Sequence, residues 1–93
     1  MTIENVKKYY GFARKSGVVA IGVDKIMTCR NAYIIMASSD LSQNAKNRLQ
    51  RRAEKLNSIY QEYEPNEFQQ IEPNSSIKAV AIKSKELAAA MQK

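Results

Sequence analysis

An apolar run, a glycine and a polar helix start follow one another near the beginning of the chain. Val18–Ile21 is the apolar run and Gly22 ends it, and Val23, Asp24 and Lys25 then begin a predicted helix. In an open α/β sheet ligands bind where strands end, and backbone N–H groups at a helix start attract anions. Because glycine has no Cβ, a sugar-phosphate chain can approach its backbone closely. The pattern predicts an anion-binding turn, and an ordinary strand-to-helix turn is the plainer alternative.

A second group of residues that could bind anions lies further along the chain. Arg48, Arg51, Arg52 and Lys55 fall within an arc of about 100° on a predicted helix. Arginine has a planar fork that binds phosphate with two hydrogen bonds and stacks on bases. This group is therefore a possible second basic patch for RNA. The alternative is a solvated helix face, with Glu54 close by.

The chain offers no residue set for catalysis. It has no histidine, no recognisable carboxylate pair and no glycine-rich phosphate loop. Cys29 is the only cysteine, which excludes an internal disulfide and a multi-cysteine zinc site. We expect Cys29 to lie in the core in the middle of a helix, since no neighbouring base would activate its thiol. The sequence therefore predicts no catalytic residue, no metal site and no cofactor.

Length and composition are typical of one globular domain. The chain has 93 residues, of which 44% are hydrophobic and 26% are charged. No apolar run approaches the roughly 20 residues that cross a bilayer. The first ten residues lack the apolar core of a signal peptide. We expect a soluble, cytoplasmic protein that makes no membrane contact.

Positive charge is concentrated in the first two thirds of the chain. The net charge is +6, and residues 1–58 hold eleven Lys and Arg against four Asp and Glu. Residues 59–93 hold four against five. Such an asymmetry predicts a polyanion-binding face. The alternative is a surface that serves solubility alone.

The spacing of apolar residues predicts five helices and four strands. We expect helices at residues 3–15, 24–30, 42–56, 65–71 and 85–92, and strands at 18–21, 33–37, 58–63 and 77–82. Gly17 is suited to end the first helix, Asp24 to cap the second, and Asp40 or Ser42 to cap the third. The alternation predicts an α/β fold, a three-layer α/β/α sandwich with a four-stranded mixed sheet, as one domain over residues 1–93.

Three segments carry a resemblance to a known family. YYGFARKSG (residues 9–17) is similar to that family's "LLGLARRAG" helix end, VVAIGVDK (18–25) to its strand with a G-x-N-E turn, and YIIMASSDLSQN (33–44) to its "LVLIAEDAS" strand and loop. The chain resembles the ribosomal protein L-seven-A-e / L-thirty-e family with its small bacterial relatives. The remaining elements follow in the same order.

This resemblance implies the sandwich fold and binding of structured RNA, most typically of kink-turns, in which sheared G·A pairs follow a bulge. Ribosomal or other structured RNA is the implied partner, with the ribosome as a possible setting and a monomer as the expected state. The implied contact regions are the Gly22 turn with the start of helix two, and the loop before the last strand. The expected RNA-binding residues are Lys15, Gly22, Val23, Asp24, Lys25, Thr28, Asn74, Ser75 and Ser76.

Two positions depart from the family pattern. Asp24 stands where the pattern has Asn, and Lys25 where it has Glu. Ionised Asp only accepts hydrogen bonds and Lys only donates them, so the hydrogen bonds available to a sheared G·A pair change. In the second contact region, Glu72 is expected to be unfavourable beside phosphate.

Two hypotheses follow. The first is an RNA-binding module in which Lys15, Lys25 and backbone amides position phosphates and residues 23–25 contact bases. The second is a protein-interaction domain of the same fold that lacks kink-turn recognition.

Overall fold

One four-stranded sheet separates two layers of helices. A computed structural model describes residues 1–93. The elements in chain order are α1 (Ile3–Lys15), β1 (Val19–Ile21), α2 (Val23–Thr28), β2 (Ile34–Ser38), α3 (Gln43–Leu56), β3 (Ile59–Tyr63), α4 (Pro65–Ile71), β4 (Ala79–Ile82) and α5 (Lys85–Met91). The predicted α/β fold with a four-stranded mixed sheet is confirmed.

The strand order across the sheet is β1-β4-β2-β3. β2 and β3 are parallel, whereas β4 is antiparallel to both β1 and β2. The carboxyl ends of β1, β2 and β3 therefore share one end of the sheet with the amino end of β4. We call this the upper end. It carries Gly22, the segment 39–42 before α3, the start of α4, and the loop 72–78 before β4.

Successive side chains along each strand point to opposite faces of the sheet, so a hydrophobic core forms on each face. Ile34 and Met36 of β2 join the core beneath α1, α4 and α5, which also contains Val6, Tyr10, Ala13, Phe68, Ile71, Val80, Ile82, Ala88 and Met91. Ile35 and Ala37 join the core beneath α2 and α3, which also contains Ala20, Ile26, Ala32, Leu49, Ala53, Ala79 and Ala81. The sheet contributes mainly alanine to this second core, so α2 and α3 can approach the sheet closely.

Helix ends follow local side-chain and backbone chemistry. Ser42 caps α3, because its Oγ accepts from the Ala45 N–H at 3.1 Å. Asp40, the alternative cap, lies outside the helix. Gly17 has φ +71°, and its N–H donates to the Arg14 carbonyl at 3.2 Å. This glycine therefore closes the end of α1, one residue beyond the C-cap Ser16.

The prediction for α2 needs three corrections. The helix covers Val23–Thr28 rather than 24–30, because Cys29 already has an extended backbone. Cys29 is consequently a half-buried C-cap residue, not one in mid-helix, and its Sγ donates to the Ile26 carbonyl at 3.1 Å. Gly22, not Asp24, occupies the N-cap position, and no side chain caps the helix. Asp24 lies in the first turn.

The bounds of α1 and α4 agree with the prediction, and the remaining elements differ from it by one or two residues at an end. The largest difference is at β4, which begins at Ala79 instead of residue 77. The Ile77 N–H donates to the Asn74 carbonyl at 3.0 Å, so Ile77 belongs to the preceding turn. No helix has the length and apolar character needed to cross a membrane.

Candidate functional site

The Gly22 turn joins β1 to α2 at the upper end of the sheet. Gly22 has φ +92° and ψ +153°, a conformation that strongly favours glycine. A Cβ added there would meet no heavy atom within 4 Å. Glycine is therefore required by backbone conformation, and the open space beside it leaves the backbone accessible.

The turn lies beside the loop that precedes β4. The Gly22 N–H donates to the Ala79 carbonyl at 2.9 Å, and Ala79 directly follows that loop. On the other side of β4, the Ser38 N–H donates to the Lys78 carbonyl at 2.9 Å. The two contact regions implied by the resemblance are therefore adjacent in space, although they are far apart in the sequence.

Residues at the start of α2 have different environments. Val23 is half-buried and packs against the core beneath α2 and α3. Asp24 and Lys25 are exposed, and neither side chain makes an ion pair or a hydrogen bond within the protein. Thr28 is exposed, but its Oγ1 donates to the Lys25 carbonyl at 3.1 Å. Asp24 and Lys25 are thus the side chains of this segment that are free to contact a ligand.

Asn74 organises the tip of the second contact region. Its Oδ1 accepts from the Ser76 N–H at 3.0 Å and from the Ser76 Oγ at 2.7 Å. Asn74, Ser75 and Ser76 are all exposed. Since Asn74 uses its carbonyl oxygen internally, its side-chain amide and the Ser75 hydroxyl are the groups left for an external partner.

Glu72 is buried and bonded within the protein, whereas the sequence led us to expect it beside a bound phosphate. The residue is 4% exposed, and its Oε1 accepts from the Tyr10 hydroxyl and from Arg14 Nη1, each at 2.5 Å. Its Oε2 accepts from the Asn74 N–H at 3.0 Å. Arg14 therefore balances the carboxylate, and the cluster ties the loop to α1. Burial, followed by the hydrogen bond to Glu72, raises the pKa of Tyr10.

Asp40 and Lys78 form an ion pair at the upper end that sequence reasoning missed. Lys78 Nζ lies 3.0 Å from Asp40 Oδ2, and Ser38 Oγ donates to Asp40 Oδ1 at 2.5 Å. The hydrogen bond from Ser38, then that from Lys78, lowers the pKa of Asp40. The two residues are 38 apart, so only the pairing of β2 with β4 brings them together.

Lys15 is not brought to the Gly22 turn. It is the last residue of α1 and is exposed, and β1 begins after it. The Val18 carbonyl, just before β1, accepts from the Lys83 N–H at 2.8 Å, at the end of the sheet opposite the upper end. The structure therefore does not bring Lys15 together with the start of α2.

The basic residues of α3 separate into two kinds. Arg48, Arg51 and Lys55 are exposed and form no ion pair. Arg52 is half-buried, and its Nη2 donates to the Cys29 carbonyl at the end of α2. Arg52 therefore joins the two helices, so three of the four predicted residues remain available as an anion-binding patch.

Positive charge is also concentrated in one of the two helical layers. The α2/α3 layer, residues 22–32 and 42–58, holds seven Lys and Arg against two Asp and Glu. The α1/α4/α5 layer, residues 1–17, 64–72 and 84–93, holds six against five. One face of the molecule is therefore strongly cationic, and the Gly22 turn lies at its upper border. No group of three His, Cys, Asp or Glu residues is arranged to hold a metal ion.

Comparison with known proteins identifies the fold. No family model matches the chain, and no curated protein matches it. The chain is similar to a solved structure of a protein with unknown function from Bacillus halodurans, with a TM-score of 0.74. The match covers 95% of this chain and 97% of that chain at 13% sequence identity. The similarity defines a shared α/β/α architecture and extends no further.

Proposed function

We propose that this protein binds structured RNA at the upper end of the sheet. The observation that carries the proposal is the hydrogen bond from the Gly22 N–H to the Ala79 carbonyl, because it joins the turn to the loop 72–78. A single ligand can then contact both segments. The resemblance to kink-turn-binding ribosomal proteins supplies the class of ligand.

Two exposed side chains are assigned different roles. Lys25 has no internal partner and would bind phosphate, which positions the RNA without reading its sequence. Asp24 also has no internal partner and would accept from a guanine amine, which contributes specificity. The Asn74 amide and the Ser75 hydroxyl would contact the same RNA from the neighbouring loop. The proposal includes a cytoplasmic location, in keeping with the free thiol of Cys29.

Titration against a kink-turn RNA and against the same RNA with its G·A pairs replaced tests this assignment. Lys25→Gln should weaken binding to both RNAs equally, whereas Asp24→Ala should reduce the preference for the intact motif. Lys85→Gln and Glu86→Ala, on the exposed first turn of α5, are the matched controls. Absence of binding to a kink-turn, a ribosomal RNA fragment and an RNA duplex at low salt would refute the proposal.

A protein-interaction domain is the second candidate, and the outer edge of β3 favours it. β3 pairs only with β2, so its other edge is open. Ile59 is 38% exposed there, and a groove of about 330 Å³ lies along the strand. The groove is lined by Met1, Ile59, Gln61, Tyr63 and Gln92. An extended segment of a partner could add to such an edge as a fifth strand.

Affinity capture with nuclease treatment separates the two candidates. A stoichiometric protein partner that survives nuclease and is lost in Ile59→Lys would support the second. Loss of all bound material after nuclease would support RNA binding.

A further inference from the structure

The α2/α3 face carries exposed positive charges well beyond the Gly22 turn. Arg48, Arg51 and Lys55 are exposed on α3, and Lys25 and Arg30 are exposed on or beside α2. The ion pairs of this chain use Arg14, Lys46 and Lys78, so none of these five cations is neutralised within the protein. They form an unpaired cationic face that reaches away from the upper end.

This face is fixed in shape. Arg52 Nη2 donates to the Cys29 carbonyl, which ties α3 to the end of α2. Leu49 and Ala53 are buried against the sheet on the side of α3 away from solvent. The exposed cations therefore project from two helices held in one arrangement, and little ordering of the backbone is needed on binding.

The dimensions of the patch suit a polymer. Arg48 and Lys55 are seven residues apart on α3, about 10 Å along the helix axis. Ser42, which caps α3, lies at the upper end. At about 1.5 Å per residue, the distance from Ser42 to Lys55 is roughly 20 Å. A ligand that contacts both the Gly22 turn and Lys55 must span most of the molecule, whose longest dimension is 29 Å.

The composition of the face favours a double strand. Residues 22–32 and 42–58 contain no Phe, Tyr or Trp. Surfaces that bind single strands use aromatic side chains to stack bases, whereas duplex RNA is bound through its phosphates and 2′-hydroxyl groups. Exposed Asn44, which lies on the same side of α3 as Arg48 and Arg51, adds a neutral hydrogen-bonding group.

We infer that the α2/α3 face binds the phosphate backbone of a double-stranded RNA stem that continues from the RNA held at the Gly22 turn. This inference rests on the proposed function. It adds a second contact area, which positions the stem and reads no bases.

Salt dependence tests the inference. The RNAs are a kink-turn hairpin with a long stem, the same hairpin with a short stem, and a single-stranded oligouridine of equal length. We compare the wild type with the triple variant Arg48→Gln, Arg51→Gln, Lys55→Gln. The matched control is Lys7→Gln, Lys8→Gln, Lys85→Gln, whose positions are exposed on the other layer and whose net charge changes equally. Glutamine supports a helix about as well as Lys or Arg, and circular dichroism verifies folding.

We expect the α3 variant to reduce the slope of log affinity against log salt by about 3 for the long-stem hairpin, because three phosphate contacts are lost. The slope should change much less in the control variant, and also when the α3 variant binds the short-stem hairpin. Oligouridine should compete poorly with the long-stem hairpin for the wild type. Equal effects of the two variants, or better competition by oligouridine, would overturn this inference while leaving the proposed function intact. Failure of the wild type to bind any of the RNAs would overturn both.

Discussion

At the scale of single residues, Gly22 combines a structural requirement with an open environment. Its φ of +92° lies where L side chains are strained, yet nothing surrounds the missing Cβ. Substitution therefore alters backbone energy without creating a steric clash. Denaturation measures the effect of a Gly22 substitution on folding, and RNA titration measures its effect on binding.

We expect Gly22→Ala to lower the free energy of unfolding by about 1–3 kcal/mol, because alanine must adopt a sparsely populated conformation. Gly11→Ala is the matched control, since Gly11 is exposed in α1 and its Cβ position is equally open. The control should stabilise the protein by about 0.5–1 kcal/mol, since alanine is the better helix residue. Urea denaturation measures both. A Gly22→Ala protein as stable as the wild type would contradict the argument.

Tyr10 links stability to alkaline pH. Burial and the hydrogen bond to Glu72 raise its pKa above the value of about 10 expected in the unfolded chain. The stability this gives is complete below pH 10 and is lost as pH rises above it, because the unfolded state then releases a proton that the folded state retains. We expect the free energy of unfolding to fall between pH 10 and 11.

Tyr10→Phe should reduce that dependence without abolishing it. Tyr60 retains a pKa raised by burial and by its hydrogen bond to Glu62, and Tyr63 one raised by burial. Denaturation over a pH series measures the slope. If the free energy of unfolding fell with pH as steeply in Tyr10→Phe as in the wild type, groups other than Tyr10 would account for the pH dependence.

At the scale of elements, Glu72 connects α1 to the loop before β4. Tyr10 and Arg14 lie one turn apart on α1, and both donate to the same carboxylate oxygen. The other carboxylate oxygen accepts a hydrogen bond from the Asn74 N–H. One buried carboxylate thus helps to set the position of the loop that we propose contacts RNA.

We expect Glu72→Ala to destabilise the protein by about 2–3 kcal/mol, since it leaves the buried Tyr10 hydroxyl without its acceptor. Arg14 is partly exposed and can turn to water, which limits the loss. Glu67→Ala, at an exposed position of α4, is the control and should change stability by less than about 0.5 kcal/mol. Hydrogen exchange at Asn74 should accelerate only in Glu72→Ala, and equal protection in both variants would count against this role.

Elements whose signals are local could be predicted from the sequence. The bounds of α1 and α4 were correct because apolar spacing, Gly17 and Pro65 act within a few residues. β4 was extended too far because Ile77 looks like a strand residue, yet its N–H bonds within the turn. The Glu72 cluster could not be predicted, since Tyr10 is 62 residues away and meets it only in the folded chain.

The candidate site likewise contains residues that local sequence signals indicate and residues whose surroundings depend on the folded structure. Gly22, Asp24 and Lys25 could be selected because strand, glycine and helix start are consecutive in the sequence. The surroundings of Lys15 and Arg52 could not be predicted, because Lys15 lies before β1 at the end of the sheet opposite Gly22, and Arg52 donates to the end of α2. Neither relation is encoded within a short window.

At the scale of the whole molecule, both cores share β2 and β4. Neighbouring residues of β2 point into opposite cores, so neither helical layer can be lost without exposing the back of the sheet. The two chain ends are also joined, because Asn5 Nδ2 donates to the Lys93 carbonyl at 2.8 Å. The protein should therefore unfold as a single unit.

We expect unfolding curves followed by far-ultraviolet circular dichroism and by tyrosine fluorescence to coincide. Tyrosine is the reporter because the chain has five tyrosines and no tryptophan. Separate midpoints for the two signals would indicate that the layers unfold independently.

The strand order also constrains when the protein can fold during synthesis. β4 is the last strand to be made, yet it occupies the space between β1 and β2, which have no direct pairing. A nascent chain that ends before Ala79 can form only the β2–β3 pair, and β1 has no neighbour. Assembly of the sheet must therefore wait until β4 has been synthesised, so folding can be completed only after almost the whole domain has been translated.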